Sequence, residues 1–190
     1  MFALILYSIS IFIFLFFDLP IKKSLQNAVY TITEFSFFAL LIYQQLKNKK
    51  NRIILVSLSI LFIAIQIIHY LTVKRVRLDS IPIAVETIFI FFFIFLYFHE
   101  LLKSSIPVLS KNYFLWIAIG ILIYLGGSFF IYILANNVDY KELDQFWFIT
   151  YIVELIKNAL FIVAMILFAK NQSDDKQSSQ KPLPNLDFTL

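Results

Sequence analysis

The sequence predicts an all-α fold, a polytopic transmembrane helical bundle with six spans, and three observations support this prediction. Hydrophobic residues make up 61% of the 190 residues, whereas roughly 45 to 50% is usual for soluble domains. The apolar runs are long enough for helices to cross a hydrocarbon core about 30 Å thick, and they lack the alternating pattern of a β-barrel. Short loops separate the runs, so neighbouring helices are expected to be antiparallel.

The predicted elements divide the chain into a six-helix transmembrane domain at residues 1–170 and a polar tail at 171–190. The spans are predicted at 2–17, 28–46, 53–73, 81–102, 113–134 and 146–169. The first run lacks a basic N-terminal region and a small-residue cleavage site, so we interpret it as a retained helix, not a signal peptide. The tail is polar and has no periodicity, and we expect it to be disordered and available to a membrane or cytoplasmic protein partner.

The distribution of lysine and arginine predicts the orientation. With six spans, the loops at 47–52 and 103–111 lie on the same side as both termini, and with the tail they contain nine Lys or Arg, against six on the opposite side. The positive-inside rule therefore places both termini in the cytoplasm. Because the net charge of +4 lies in these helix-end loops, nucleic-acid binding is not predicted.

Several polar residues are expected at similar depth near one membrane face. The second, fourth and sixth spans run in the same direction and carry their glutamates early, while the third span runs the other way and has its polar residues near its end. A charged group at mid-membrane costs roughly 2.5 to 3.5 kcal/mol, which favours convergence on one cavity. The predicted ligand or ion pocket consists of Glu34, Glu86, Glu154, Lys157, Asn158, Gln66 and His69.

The charges of these residues predict which carboxylates in the pocket are compensated by a positive charge. Lys157 follows Glu154 at the i,i+3 spacing that allows an ion pair on one helix surface. Two carboxylates then remain, with His69 as the only other candidate cation, so at least one carboxylate is expected to be protonated or to balance a bound cation. The alternative is purely structural, because polar residues at helix interfaces commonly hydrogen-bond to neighbouring helices and have no other role.

The sequence gives no support for an enzyme, a metal site or a cofactor. Cysteine is absent, which excludes thiolate nucleophiles and cysteine-based metal sites. His99 and Glu100 begin a metalloprotease-like pair, but Lys103 stands where the second histidine is needed. No phosphate-binding glycine loop or nucleophile elbow is present.

The three glycines of the chain, Gly120, Gly126 and Gly127, all lie in the span at 113–134. Small residues allow helices in a membrane to approach closely. We therefore expect this span to pack centrally in the bundle.

The run FLWIAIGILIYLGGSFF at 114–130, preceded by the Glu86 helix and followed by the Trp147 helix, resembles an uncharacterised family of bacterial seven-span membrane proteins. The Glu34 helix fits this family too, and the resemblance covers residues 1–170. The chain departs from the family in lacking its first span and in carrying Glu154 and Lys157 where neutral polar residues are expected. The resemblance implies a likeness in outline to seven-helix sensory modules and no established function.

These observations together favour a ligand-binding or sensory membrane module with an acidic pocket near one face. The main alternative is a small proton- or cation-coupled carrier, but residues 90–98 are almost entirely apolar, which argues against a continuous polar path. An intramembrane enzyme acting on lipid and a purely structural subunit are further alternatives. The partner that the sequence itself predicts is the lipid bilayer.

Overall fold

The computed structural model describes residues 23–72, 80–103, 112–134 and 146–179. Within these ranges the chain forms five helices and no strand. The helices are α1 (Lys23–Gln45), α2 (Lys49–Thr72), α3 (Ser80–Lys103), α4 (Tyr113–Leu134) and α5 (Phe148–Ser179). The predicted all-α class is therefore confirmed.

Four of the helices, α2 to α5, are long and apolar enough to cross a membrane, which supports a multi-pass membrane protein. Helix α1 coincides with the predicted span at 28–46 but is not among these four, because polar side chains occur along much of its length. The predicted span at 2–17 lies outside the described residues. The described part of the chain therefore does not support the count of six spans.

Helix α5 is longer than predicted and corrects one expectation. It continues to Ser179, so residues 171–179, predicted as the start of a disordered tail, are helical. An existing helix adds residues at little cost, and no Gly or Pro interrupts the chain before Pro182. Polarity marked the end of the apolar segment correctly but did not mark the end of the helix. Residues 180–190 lie outside the described ranges.

The packing order places α3 and α4 at the centre of the bundle. Helix α1 packs on α2 and α3, α3 packs on α4, and the most extensive contact joins α4 to α5. In the most apolar stretches of α3 and α4, 39% of the residues are buried inside the bundle, whereas the share is 17% in those of α2 and α5. The outer helices instead expose large apolar side chains to lipid, among them Ile60, Leu71, Leu155 and Met165. The predicted central position of the 113–134 span is confirmed.

Aromatic rings connect α1, α2 and α3 in the middle of the bundle. The Phe35 and Phe62 rings stack with centroids 3.9 Å apart, and the Phe93 centroid lies 6.1 Å from that of Phe35. All three side chains are fully buried. Phe114 extends the cluster from α4 by an edge-on contact with Tyr97, at 4.8 Å between centroids. These contacts fix the heights of the four helices relative to one another.

The carboxylate of Glu100, on α3, holds the short connection between α1 and α2. It accepts hydrogen bonds from the backbone N–H of Lys47 at 2.7 Å and from the side-chain amide of Asn51 at 2.6 Å. Asn48 caps α2, since its Oδ1 accepts from the Lys50 N–H at 2.9 Å. Glu100, which the sequence shows in a metalloprotease-like pair without its second histidine, thus joins α3 to the α1–α2 connection and to α2.

The contact between α4 and α5 depends on glycine. A Cβ placed on Gly127 would lie 2.5 Å from Cγ1 of Val153, and one on Gly120 would lie 3.2 Å from the Phe161 ring. Gly126 faces α3 instead, where a Cβ would meet the Phe91 ring at an ordinary 3.4 Å. The prediction of a small-residue surface for close helix approach is confirmed for Gly120 and Gly127 against α5.

These distances separate two neighbouring alanine substitutions. Gly127→Ala should destabilise the purified protein by about 1 to 3 kcal/mol, because the added methyl overlaps Val153 and forces α5 away from α4. Gly126→Ala is the matched control and should be neutral or stabilising, because alanine favours the helix over glycine by up to about 1 kcal/mol. Thermal unfolding in detergent measures both, and equal effects at the two positions would contradict the close approach of α4 and α5.

Candidate functional site

A polar cavity of about 180 Å³ lies between α1, α3 and α4. It lies toward the membrane face at which α1 and α3 begin and α4 ends. Three lining residues come from α1, three from α3 and four from α4, and Trp147 stands just before α5. The lining side chains are Tyr30, Thr31, Glu34, Ile83, Glu86, Thr87, Tyr124, Leu125, Ser128, Tyr132 and Trp147.

Glu34 enters the cavity from α1 and is 8% exposed. The hydroxyl groups of Tyr30 and Tyr124 are its hydrogen-bond donors. Glu34 is therefore a buried carboxyl group with hydrogen-bond donors from its own helix and from α4.

Glu86 enters the same cavity from α3 and has a different environment. Its side chain is 2% exposed, and its Oε1 atom has no hydrogen-bond partner in the described part of the chain. The neighbouring Thr87 does not supply one, because its hydroxyl donates to the backbone carbonyl of Ile83 at 2.9 Å. The charged group that interacts with Glu86 is Glu34, which repels it when both are ionised. Glu86 thus presents a buried oxygen that the surrounding side chains leave unsatisfied.

Lys157 approaches the cavity from α5 on the far side of Tyr124. Its side chain is 5% exposed, and its Nζ lies over the Tyr124 ring, 3.6 Å from the centroid, which is a cation–π contact. Among charged groups it interacts most with Glu34 and next with Glu154. The predicted pairing of Lys157 with Glu154 is thus the weaker of two interactions, because the close approach of α4 and α5 brings the lysine to the wall of the cavity.

The structure brings two of the seven predicted pocket residues into the cavity lining, namely Glu34 and Glu86. Lys157 lies directly behind the wall. Glu154 and Asn158 are half-buried on α5, and Gln66 and His69 lie on α2; none of these four lines the cavity. Helix α5 packs mainly on α4, and α2 packs on the other side of the bundle. The four side chains on these two helices therefore do not reach the cavity.

The structure adds an aromatic wall that is not among the seven predicted pocket residues. Tyr124, Ser128 and Tyr132 follow one another at intervals of four residues, which places them on one face of α4. Tyr30 precedes Glu34 by the same interval on α1. Trp147 stands just before α5 with its ring edge-on to Tyr132, at 6.0 Å between centroids. The four-residue spacing of polar aromatic residues is the signal that could have identified this wall.

The lining of the cavity combines carboxyl groups with aromatic rings. The described residues contain no group of three His, Cys, Asp or Glu side chains placed to hold a metal. Two carboxyl groups and four aromatic rings instead surround the cavity. Aromatic faces attract cations through their quadrupole, and a carboxylate supplies the opposite charge.

No family model, curated protein or solved structure matches this chain. The resemblance to a bacterial seven-span family therefore stays a prediction.

The position of Lys157 predicts the effect of its removal. Lys157→Met should destabilise the protein by about 1 to 3 kcal/mol, because Glu34 then lacks its strongest cationic neighbour in a buried site. Lys170→Met, at an exposed position of the same helix, is the matched control and should leave the melting temperature nearly unchanged. Thermal unfolding in detergent at neutral pH provides the comparison. Equal melting temperatures for both variants and the wild type would contradict an electrostatic role for Lys157 at the cavity.

Proposed function

We propose that this chain is a ligand-binding membrane protein whose cavity takes a small organic cation of the ammonium class. The observation that supports this most is the buried Glu86, which lines an aromatic cavity and has an oxygen without a hydrogen-bond partner in the described chain. Buried polar atoms are usually satisfied, so such an atom needs an explanation, and a bound donor supplies one. An ammonium group is both a donor and a counter-charge.

The charges around the cavity favour a cation. Lys157 and two tyrosine hydroxyls compensate Glu34, but no cation among the described residues compensates Glu86. An ionised carboxylate without compensation is costly in a buried site. A monovalent cation bound beside Glu86 would neutralise the second carboxylate and would be enclosed by the rings of Tyr124, Tyr132 and Trp147.

The dimensions of the cavity limit the ligand to a small one. Its volume of about 180 Å³ is below the roughly 300 to 1,000 Å³ of pockets for drug-sized molecules. Small primary amines and methylated ammonium ions fit this limit. The hydroxyls of Thr31 and Ser128 provide acceptors for a primary ammonium, whereas a quaternary ammonium would depend on the aromatic wall.

A sensory role follows from the course of α5. Its residue Lys157 touches the cavity wall through Tyr124, and the same helix continues to Ser179, well beyond its apolar portion. A ligand that moves Tyr124 or changes the charge balance at Glu34 would therefore act on a continuous helix that ends outside the hydrocarbon core. Residues at the end of α5 are then suited to contact a protein partner.

The proposed setting is the bacterial inner membrane, with six spans and both termini in the cytoplasm. The basic loop at 47–52 would then lie in the cytoplasm, and the cavity would open toward the exterior. A ligand from outside the cell would reach Glu86 directly, and the end of α5 would lie inside.

A carrier function is less well supported by the bundle. Between the cavity and the opposite face, the centre is filled by fully buried apolar side chains, namely Ile42, Ile90, Phe93, Ile94, Ala118 and Ile121. A transported cation would have to cross this layer, and the described residues place no carboxylate within it. Binding without transport is therefore the function that the geometry favours.

Ligand binding can be tested directly on the purified full chain. Ethylammonium should raise the melting temperature in a concentration-dependent way, because a ligand that binds only the native state stabilises it. Tetramethylammonium, which has no N–H group to donate to Glu86, should raise it less. The uncharged alcohols propanol and tert-butyl alcohol should have little effect. Isothermal titration calorimetry should show that Glu86→Gln weakens cation binding at least about tenfold, which corresponds to roughly 1.4 kcal/mol.

The matched control is Glu154→Gln, which removes a carboxylate from α5 at similar depth but outside the cavity lining. Because Glu154 acts on the cavity only through its charge interactions with Glu34 and Lys157, this variant should weaken cation binding less than Glu86→Gln does. If alcohols stabilise the protein as much as the ammonium ions do, or if Glu86→Gln binds them as tightly as the wild type, the proposed ligand class is wrong.

The orientation is tested by a reporter fused after Leu190. A fluorescent protein that matures only in the cytoplasm should fluoresce in this fusion, and a periplasmic alkaline phosphatase in its place should be inactive. The opposite pair of results would show that the tail lies outside the cytoplasm and would place the cavity mouth on the cytoplasmic side.

A further inference from the structure

At the membrane face opposite the acidic cavity, an open groove of about 520 Å³ lies beside the connection between α1 and α2. We propose that this groove binds the headgroup of an anionic phospholipid, with the phosphate held by basic side chains and an acyl chain lying along α2. The inference is independent of the function proposed for the acidic cavity. The groove is lined by Tyr43, Lys47, Lys49, Arg52, Ile53, Val56 and Ser57.

The charge of the groove favours an anion. Three of its seven lining residues are cationic and none is acidic. The nearest carboxylate that the structure shows at this connection, that of Glu100, accepts hydrogen bonds from the backbone of Lys47 and Asn48 and from the Asn51 side chain. Because these donors hold it away on the α3 side, Glu100 does not occupy the groove and leaves its cations available to an external anion.

One of the cations, Arg52, is held in a fixed position. Its Nε donates to the backbone carbonyl of Leu46 at 2.6 Å, and its guanidinium lies over the Tyr43 ring at 5.1 Å. A fixed guanidinium loses less conformational entropy on binding than a mobile one. Its planar group can donate two N–H hydrogen bonds to two oxygens of one phosphate. Lys47 and Lys49 are exposed on either side and can close on the same phosphate.

The lower part of the groove identifies the source of the phosphate as a lipid. Ile53 and Val56 are 56% and 43% exposed, and Ile60, 64% exposed, continues the same strip of α2 into the apolar part of the helix. The spacing of three and four residues places these side chains on one helix face. Basic groups at the headgroup level above a lipid-facing apolar strip match an anionic phospholipid, whereas inorganic phosphate would make no use of the strip.

The N-terminus of α2 does not supply this site. Asn48 already caps it through the Lys50 N–H, and Glu100 takes the N–H groups of the preceding residues. The phosphate would therefore be held by side chains, which makes binding sensitive to charge substitutions that leave the cap and the Glu100 contacts in place.

The test compares lipids with identical acyl chains on the detergent-purified full chain, using native mass spectrometry. Phosphatidylglycerol should remain bound at several times the occupancy of phosphatidylcholine, and added salt should reduce the difference. The double variant Lys47→Gln/Lys49→Gln should lower phosphatidylglycerol occupancy at least fivefold, since both side chains are exposed and the cap remains. Arg52→Lys should also lower the phosphatidylglycerol occupancy, because lysine keeps the positive charge but cannot donate two parallel N–H hydrogen bonds to the phosphate.

The matched control is Lys103→Gln, which removes an exposed cation at the same face but outside the groove. It should leave the phosphatidylglycerol occupancy within about twofold of the wild type. Melting temperatures within a few degrees of the wild type establish that each variant is folded. Equal occupancy of the two lipids, an unchanged double variant, or inorganic phosphate displacing phosphatidylglycerol at comparable concentration would each overturn the assignment of a lipid site.

Discussion

The burial of two carboxyl groups side by side is the constraint that governs this bundle. Glu34 and Glu86 come from adjacent helices and are almost completely enclosed, so the surrounding elements have to provide donors and positive charge. Tyr124 on α4 and Tyr30 on α1 provide donors to Glu34, and Lys157 provides charge from behind Tyr124. Lys157 reaches this position because Gly127 and Gly120 let α5 lie close against α4. The glycine contact and the acidic cavity are thus parts of one arrangement.

The sequence predicted the helices and the depth of the acids well, because both follow from local geometry. Apolar runs long enough to cross a bilayer can only be helical in a hydrophobic chain of this kind, and the rise per residue fixes the height of each side chain. Alternating helix direction then placed Glu34 and Glu86 at one level, and the structure brings both into one cavity. Central packing of the helix with the three glycines followed from residue size in the same local way.

Depth alone could not predict which side chains face each other. Glu154, Asn158, Gln66 and His69 were assigned to the pocket because they lie at its level, but the packing of α5 and α2 directs them elsewhere. The aromatic wall was not assigned to the pocket because a tyrosine in an apolar helix looks like ordinary packing until the opposing helix is known. The contacts of Glu100 could not be predicted for a similar reason: its partners include backbone amides of another segment, which leave no pattern in the sequence. The end of α5 was missed because polarity indicates exposure and does not by itself end a helix.

The two sites lie at opposite membrane faces and share α1. Tyr30 and Glu34 line the acidic cavity, while Tyr43, thirteen residues beyond Tyr30 in the same helix, supports Arg52 in the basic groove. This separation corresponds to about 20 Å along the axis. Between them, Phe35 stacks on Phe62 and contacts Phe93, so α1 is held by a packed apolar layer and can shift only together with its neighbours. The acidic cavity and the basic groove are therefore built on opposite ends of one helix whose middle is fixed by buried aromatic packing.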